Sequence, residues 1–291
     1  MIPVLKTYKI FIGGQFPRTE SGRYYKVQNA KKELIANMCL SSRKDFRNAV
    51  VAARNALAGW SAKTHFNRSQ IIYRIAEMLE GRKSQFVEEL ILQGVQKNQA
   101  IKEVEQSINR FVYYSGWCDK YSALFSSVNP VASSHFNFSS PEPMGVISMI
   151  APEKTSLLGL VSIILPAIVG GNTCVVLADE LMPLCAITFA EVLATSDLPG
   201  GVVNILTGKS SELHTHFSNH LDVNTVVYCK ENKAEQKTIQ ENASLNVKRS
   251  FIWNKDFYKE ENQNPYYIMD LQEIKTTWHP IEQSFAGGSK Y

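Results

Sequence analysis

The chain has 291 residues, of which 44% are hydrophobic and 20% are charged, a balance typical of a globular protein with a sizeable core. Its formal net charge is only +4 at pH 7, and the positive residues are scattered rather than grouped. A nucleic-acid-binding surface needs clustered positive charge, so we expect no nucleic-acid partner.

The cysteines and the apolar segments indicate the compartment. No Cys-x-x-Cys pair occurs, so neither a zinc site nor a disulfide framework is predicted, and unpaired thiols suit a reducing environment. The N-terminus lacks the layout of a signal peptide. The longest apolar run, residues 157–169, is shorter than the ~20 residues of a membrane helix. We therefore expect a soluble, cytoplasmic protein with no membrane partner.

The first 140 residues predict short strands followed by helices. Alternating apolar residues predict a strand at 8–16 that turns at Gly13-Gly14, and further short strand within 24–40. The sequence from Ser42 to Asp45 resembles a capping box and opens a helix that stops near Trp60. Helical spacing of apolar residues predicts three more helices, and weak alternation predicts a strand or hairpin at 131–138.

Residues 141–208 contain the clearest pattern. Three short β-branched runs, 146–150, 174–177 and 202–206, alternate with helical patterns at 155–169 and 183–194. This order is typical of a parallel sheet built from right-handed crossovers. The strands are continuous apolar runs, which predicts helices on both faces of the sheet. The expected fold is therefore an open α/β sheet, a frequent but not diagnostic nucleotide-binding core.

The pattern continues beyond residue 208. A helix is predicted to about residue 220, then a strand at 225–229, a helix at 232–242 and a strand at 247–252. Residues 254–265 are polar and predict an exposed linker. Residues 270–281 alternate as a strand that stops at Pro280, and residues 283–291, which lack periodicity, predict a loose tail.

Six segments, in the same order, resemble motifs of the aldehyde dehydrogenase superfamily. They begin at Phe11, Ala49, Phe111, Glu142, Gly171 and Leu198 and are similar to the family's FINGEW, AVAAARAAFxxW, FRYYAGWADK, EPLGVV, GNTVVV and LPPGVVNVVTG. The resemblance implies a Rossmann-like cofactor domain, a catalytic domain with a cysteine nucleophile, and an oligomerisation element. The chain is identified as a truncated, degenerate member, similar to the non-catalytic second module of two-module aldehyde dehydrogenases.

The resemblance also implies which residues would do the chemistry, and most are replaced. Lys154 stands where the family has its oxyanion-binding Asn, and Trp253 stands where it has its general base Glu. In the segment that contacts the cofactor ribose, only Glu180 is matched, and it is the single cofactor-binding residue that we predict. The pyrophosphate-binding turn loses both glycines, while Glu231 and Glu235 add negative charge there. We therefore expect no cofactor, with weak NAD(P) binding as the alternative.

The catalytic domain is expected to be absent, because no nucleophile segment follows Trp253. The predicted organisation has residues 1–125 and 141–253 in a NAD-binding-type domain, 126–140 and 266–282 as oligomerisation strands, 254–265 as a linker in place of the catalytic domain, and 283–291 as a flexible tail. Residues 272–278 resemble the family's TELKTVWV strand, which in the family pairs with a neighbouring subunit. We therefore predict a homo-oligomer, or a hetero-oligomer with a full-length aldehyde dehydrogenase, through the 266–282 strand.

Three functional hypotheses follow. The leading one is a non-catalytic subunit, a pseudoenzyme with a structural or regulatory role in such an oligomer. The second is a subunit of an active NAD(P)-dependent aldehyde oxidoreductase whose catalytic cysteine comes from another chain, and the third is a nucleotide-binding sensor. His216 and His220, expected on one helix face, lack a third ligand, so no metal site is predicted. Cys229, near a single cation, is not expected to be catalytic.

Overall fold

The computed structural model describes residues 6–29 and 31–281, so the predicted tail at 283–291 lies outside the described residues. The first sheet is an antiparallel hairpin of β1 (Tyr24–Gln28) and β2 (Leu34–Cys39). The prediction of a separate strand at 8–16 is wrong, because this segment forms only isolated bridges. Phe11 instead bridges Ile205 through two backbone hydrogen bonds of 2.8 Å, while Ile12 and Gln15 close the predicted turn.

The predicted helices follow the hairpin. The capping box at the start of the first one is confirmed: the Ser42 hydroxyl accepts from the Asp45 amide, and the Asp45 carboxylate accepts from the Ser42 amide at 2.7 Å. At its other end, the buried Trp60 indole donates to the Ile168 carbonyl at 3.0 Å. The helices are α1 (Arg43–Ser61), α2 (His65–Gly81), α3 (Lys83–Leu92), α4 (Lys97–Ser115) and α5 (Tyr121–Phe125).

The expected open parallel sheet with flanking helices is confirmed. Its strands are β5 (Val146–Ile150), β6 (Thr173–Leu177), β7 (Val203–Leu206), β8 (Thr225–Tyr228) and β9 (Arg249–Ile252), all parallel and ordered β7-β6-β5-β8-β9. The intervening helices are α6 (Leu158–Val169), α7 (Leu184–Thr195), α8 (Ser210–Asn219) and α9 (Lys233–Leu245). Every residue of β5 to β8 is buried, as continuous apolar strands require when helices cover both faces.

A third sheet combines distant parts of the chain. It consists of β3 (Ser127–Asn129), β4 (His135–Pro143) and β10 (Gln272–Pro280), in the order β10-β4-β3 with antiparallel pairing. The strand predicted at 131–138 is therefore displaced toward the C-terminus. Proline has no amide hydrogen to donate to a neighbouring strand. β3 pairs only with residues 137–139 of β4, so on the side of β4 that faces β3 no strand lies beside Pro141 and Pro143, and β4 can accommodate both prolines.

The segment between β9 and β10 is anchored, although it was predicted to be an exposed linker. Its polar residues are partly exposed, but Phe257 is buried and Arg110 of α4 donates to the Phe257 and Asn262 carbonyls at 2.9 and 3.1 Å. The Tyr114 hydroxyl donates to the Asn264 carbonyl at 3.0 Å. The segment ends in α10 (Tyr266–Asp270), so no separate domain is inserted within residues 253–271, all of which the structure describes.

Candidate functional site

The candidate site is a cleft at the carboxyl ends of the parallel strands. It has a volume of about 580 Å³ and is lined by residues that follow three of the strands: 152–155 after β5, 229–231 after β8, and 254–258 after β9. The chain leaves β5 toward β6 and β7 and then returns to the other side of β5 as β8. Ligands of open α/β sheets bind at such a reversal of strand order, so this cleft is the candidate ligand-binding site.

Two ion pairs connect opposite walls of the cleft. Lys154 Nζ lies 3.2 Å from a carboxylate oxygen of Glu231, and both side chains are exposed. Lys230 Nζ lies 3.4 Å from Glu153, and the Lys230 side chain is only 6% exposed. Lys154 also has a left-handed backbone, with φ of 74°. The cation at the position matched to the family's Asn therefore faces a carboxylate of its own chain and is not a fixed amide donor.

The N-terminus of α9, matched to the pyrophosphate-binding turn, is closed by its own side chains. The side-chain oxygen Oδ1 of Asn232 accepts from the backbone amides of Ala234 and Glu235 at 3.0 and 3.3 Å. The buried Glu235 carboxylate accepts from the hydroxyls of Tyr228, at 2.8 Å, and Ser210. A phosphate at a helix N-terminus needs free amides and no competing anion, so these residues do not fit the pyrophosphate of NAD(P).

The N-terminus of α6 is closed in the same manner. One carboxylate oxygen of Glu103 accepts from the amides of Leu157 and Leu158 at 2.8 and 3.2 Å, and the other accepts from the Tyr258 hydroxyl at 2.7 Å. Glu103 is 1% exposed. The helix α6, predicted from residue 155, begins at Leu158, and the buried carboxylate from α4 accepts from the amides at its start, as a capping side chain does.

The carboxyl end of β6 carries the predicted cofactor residue. Glu180 lies there half-buried, but it does not line the cleft, so its role stays a prediction. Its neighbour Asp179, which the sequence reasoning passed over, is 4% exposed and accepts from the Met182 amide at 3.2 Å. Burial is the main cause that raises the pKa of Asp179 to about 6, although nearby Lys230 acts in the opposite direction.

No described thiol is suited to nucleophilic attack in the cleft. Cys229 lines the cleft but is 3% exposed, and burial raises the pKa of its thiol well above its ordinary value. Burial also raises the pKa of Cys174 and Cys185. A thiolate is the nucleophile, so these groups are held in the unreactive form. Trp253, at the position matched to the general base, is buried against the Tyr267 ring at a centroid distance of 4.7 Å.

The two histidines lie at the C-terminal end of α8. The helix ends at Asn219, and His220 is its C-cap, with φ of −69° and ψ of 125°. His216 and His220 both line a small cleft beside α1. Within residues 6–29 and 31–281, no group of three or more His, Cys, Asp or Glu side chains could hold a metal ion. In the same residues, no helix has both the length and the apolar character to cross a bilayer.

Comparison with known proteins places these features in one family. A family model described as the aldehyde dehydrogenase family matches residues 16–252. The chain is 29% identical over 248 residues to the cytosolic 10-formyltetrahydrofolate dehydrogenase of Xenopus laevis, covering 83% of this chain and 28% of that protein. It is 28% identical to the putative aldehyde dehydrogenase DhaS of Bacillus subtilis, covering 84% of this chain and 49% of the relative.

Solved structures show the same relationship. An aldehyde dehydrogenase from Bacillus cereus in complex with NAD+ superposes with a TM-score of 0.80 at 25% identity, covering 84% of this chain and 50% of the other. PnpE from Pseudomonas sp. WBC-3 gives a TM-score of 0.80 at 26% identity with the same coverage. The chain thus spans half or less of the length of these relatives. The matched sheet and the matched sequence lead to one conclusion: the chain belongs to the aldehyde dehydrogenase family.

Proposed function

We propose that the chain is a non-catalytic member of its family, with a structural or regulatory role in an oligomer formed with itself or with an active aldehyde dehydrogenase. Its cysteines are all unpaired, which agrees with assembly in a reducing compartment such as the cytoplasm. The proposal has two parts, loss of chemistry in the cleft and a free strand edge for association.

The loss of chemistry rests on the cleft itself. Acyl transfer to a thiol needs a thiolate, a fixed oxyanion donor and a base. The described cleft instead offers the buried Cys229, the ion-paired Lys154 and the ring of Trp253 nearby. The α9 amides that would meet a pyrophosphate are occupied by Asn232. We therefore expect neither aldehyde oxidation by the purified chain nor NAD(P) binding at millimolar concentration.

The observation that carries the assembly role is the free edge of β10. The strand pairs only with β4 among the described residues. The Ile281 amide donates to the Ser134 carbonyl at 2.9 Å, so Ile281 directs its backbone groups toward β4. In an antiparallel pair the direction alternates along the strand, and the backbone groups of Ile274, Thr276 and Trp278 in β10 therefore point away from β4. The Ile274 and Trp278 side chains are 52% and 56% exposed, so both unpaired backbone groups and apolar surface are available to another chain.

Co-expression with full-length aldehyde dehydrogenases from the same source, followed by sizing of the purified complex, tests the proposal. Thr276→Pro removes one outward amide without removing a backbone hydrogen bond to β4. It also removes the exposed hydrogen bond of 2.8 Å between the Thr276 and Ser139 hydroxyls. We expect a folded variant that no longer associates. Leu245→Ser is the control, because it removes an 83% exposed apolar side chain from α9, away from β10. A chain that stays monomeric with every relative, or that oxidises aldehydes alone, would show the proposal to be wrong.

A further inference from the structure

A second cleft lies between α1 and the end of α8, and it shares no residue with the cleft at the strand ends. Its volume is about 370 Å³. The lining includes positive, apolar and polar groups and one carboxylate: Arg43, Phe46, Arg47, His216, Asn219, His220, Leu221 and Asp222.

Two arginines supply the permanent positive charge of this cleft. Arg43 and Arg47 are four residues apart on α1, so both guanidinium groups project from the same side of the helix. Both are exposed, and neither has an ion-pair partner among residues 6–29 and 31–281. The adjacent Lys44 differs, because it forms an ion pair with Glu20 and does not line the cleft.

The imidazoles of the cleft feel this positive charge. Burial and then Arg43 lower the pKa of His216, with a smaller effect from His214. Burial also lowers the pKa of His220, and Lys248, Arg47 and Arg43 act in the same direction, while only Asp222 opposes them. The groups that face these rings from α1, α8 and the strand β9 side are therefore mostly cationic.

Local contacts fix the orientation of His220. Its Nδ1 accepts from the Asp222 amide at 3.2 Å, so the neutral ring carries its hydrogen on Nε2. The ring stands edge-on to the buried Phe46 ring at a centroid distance of 5.7 Å. The Lys248 ammonium donates to the His220 carbonyl at 2.7 Å and so holds the backbone of this turn. The imidazole is thus a positioned donor on an apolar wall.

We propose that this cleft binds the phosphate group of a small phosphorylated molecule. Arg43 and Arg47 would contact the phosphate oxygens, since guanidinium groups bind phosphate through paired hydrogen bonds. His220 and His216 would add donors, and the exposed Leu221 side chain would contact the organic part. The volume suits a phosphate with a sugar-sized body rather than a large ligand.

The test is a titration of the full chain with ribose 5-phosphate, with ribose as the neutral probe and inorganic phosphate as the probe for the anion alone. The histidine ring signals are followed by NMR at fixed ionic strength, because salt screens exposed charges. We expect shifts at His216 and His220 with both phosphate probes and none with ribose. Tighter binding of ribose 5-phosphate than of inorganic phosphate would show that the apolar wall contributes.

Variants distinguish phosphate binding at this cleft from general electrostatic attraction to the protein. The double substitution Arg43→Gln and Arg47→Gln should weaken binding at least about tenfold. Lys44→Gln removes the same type of charge one residue away and should leave binding unchanged, and circular dichroism establishes that the variants are folded. Sulfate keeps its charge over the pH range, so its affinity should rise as pH falls through the lowered histidine pKa values, and less steeply in His220→Gln.

Any of four results would overturn the proposal. The first two are the absence of ring shifts at millimolar phosphate and an equal loss of affinity in Lys44→Gln and in the double arginine variant. The other two are a sulfate affinity that does not depend on pH and phosphate binding by the double variant at wild-type strength.

Discussion

Glu103 is predicted to hold the cleft and the segment after β9 in place. It is 1% exposed, and it is the acceptor for the Leu157 and Leu158 amides and for the Tyr258 hydroxyl. Glu103→Ala would leave two buried amides without an acceptor and open a small cavity. An unsatisfied buried donor costs about 1–3 kcal/mol, so we expect the free energy of unfolding to fall by about 3–5 kcal/mol.

Urea denaturation followed by circular dichroism measures this loss, and hydrogen exchange of residues 253–265 locates it. Exchange should accelerate there because Tyr258 loses its acceptor. Glu103→Gln keeps one acceptor oxygen and should lose about half as much stability. Glu105→Ala, on the same helix but in an exposed ion pair with Lys83, should behave as wild type. A Glu103→Ala variant within about 1 kcal/mol of wild type would refute the reasoning.

Two further predictions concern pH and backbone conformation. Burial raises the pKa of Asp179 to about 6, above its value in the unfolded chain. Folding therefore favours the protonated form of this carboxyl. The free energy of unfolding is highest below about pH 4 and falls by up to about 3 kcal/mol as the pH rises through 6. Asp179→Asn should flatten this part of the stability profile measured by urea denaturation from pH 4 to 8, and parallel profiles would contradict the assignment. Gly201 has φ of 93°, and an added Cβ would lie 2.6 Å from the Ala52 carbonyl oxygen, so Gly201→Ala should cost more than about 2 kcal/mol. A Cβ added at Gly59 meets nothing within 4 Å, so Gly59→Ala should raise the free energy of unfolding by about 0.5–1 kcal/mol. Thermal unfolding measures both variants, and melting temperatures that shift in the same direction would contradict the prediction.

The sequence correctly predicted structural features that depend only on residues close together in the chain. The capping box at Ser42 and the order of strands and helices from β5 to β9 are confirmed, because a cap and an apolar period are properties of a few consecutive residues. The start of α6 was missed because it depends on Glu103, more than fifty residues earlier in the chain. The end of α8 at Asn219 agrees with the helix predicted to about residue 220.

One signal for the anchored segment was present in the sequence and was not used. Glu103, Ser107, Arg110 and Tyr114 repeat at helical spacing, and all four are buried along one side of α4. A polar stripe among apolar helix residues must be satisfied by something that packs on it, and here residues 257–264 supply the partners for three of the four. The assignment of Glu180 as a cofactor residue had no such physical support and stays a prediction.

The pairing of β10 with β4 also has a consequence for when the free edge becomes available. β4 ends at Pro143 and β10 begins at Gln272, so the whole parallel sheet lies between the two partners along the chain. Contacts so distant in sequence form late, because the intervening chain must first be ordered. A chain with an unfinished core therefore displays no ordered β10 edge. If subunits associate through that edge, as proposed, assembly would select chains that have already folded.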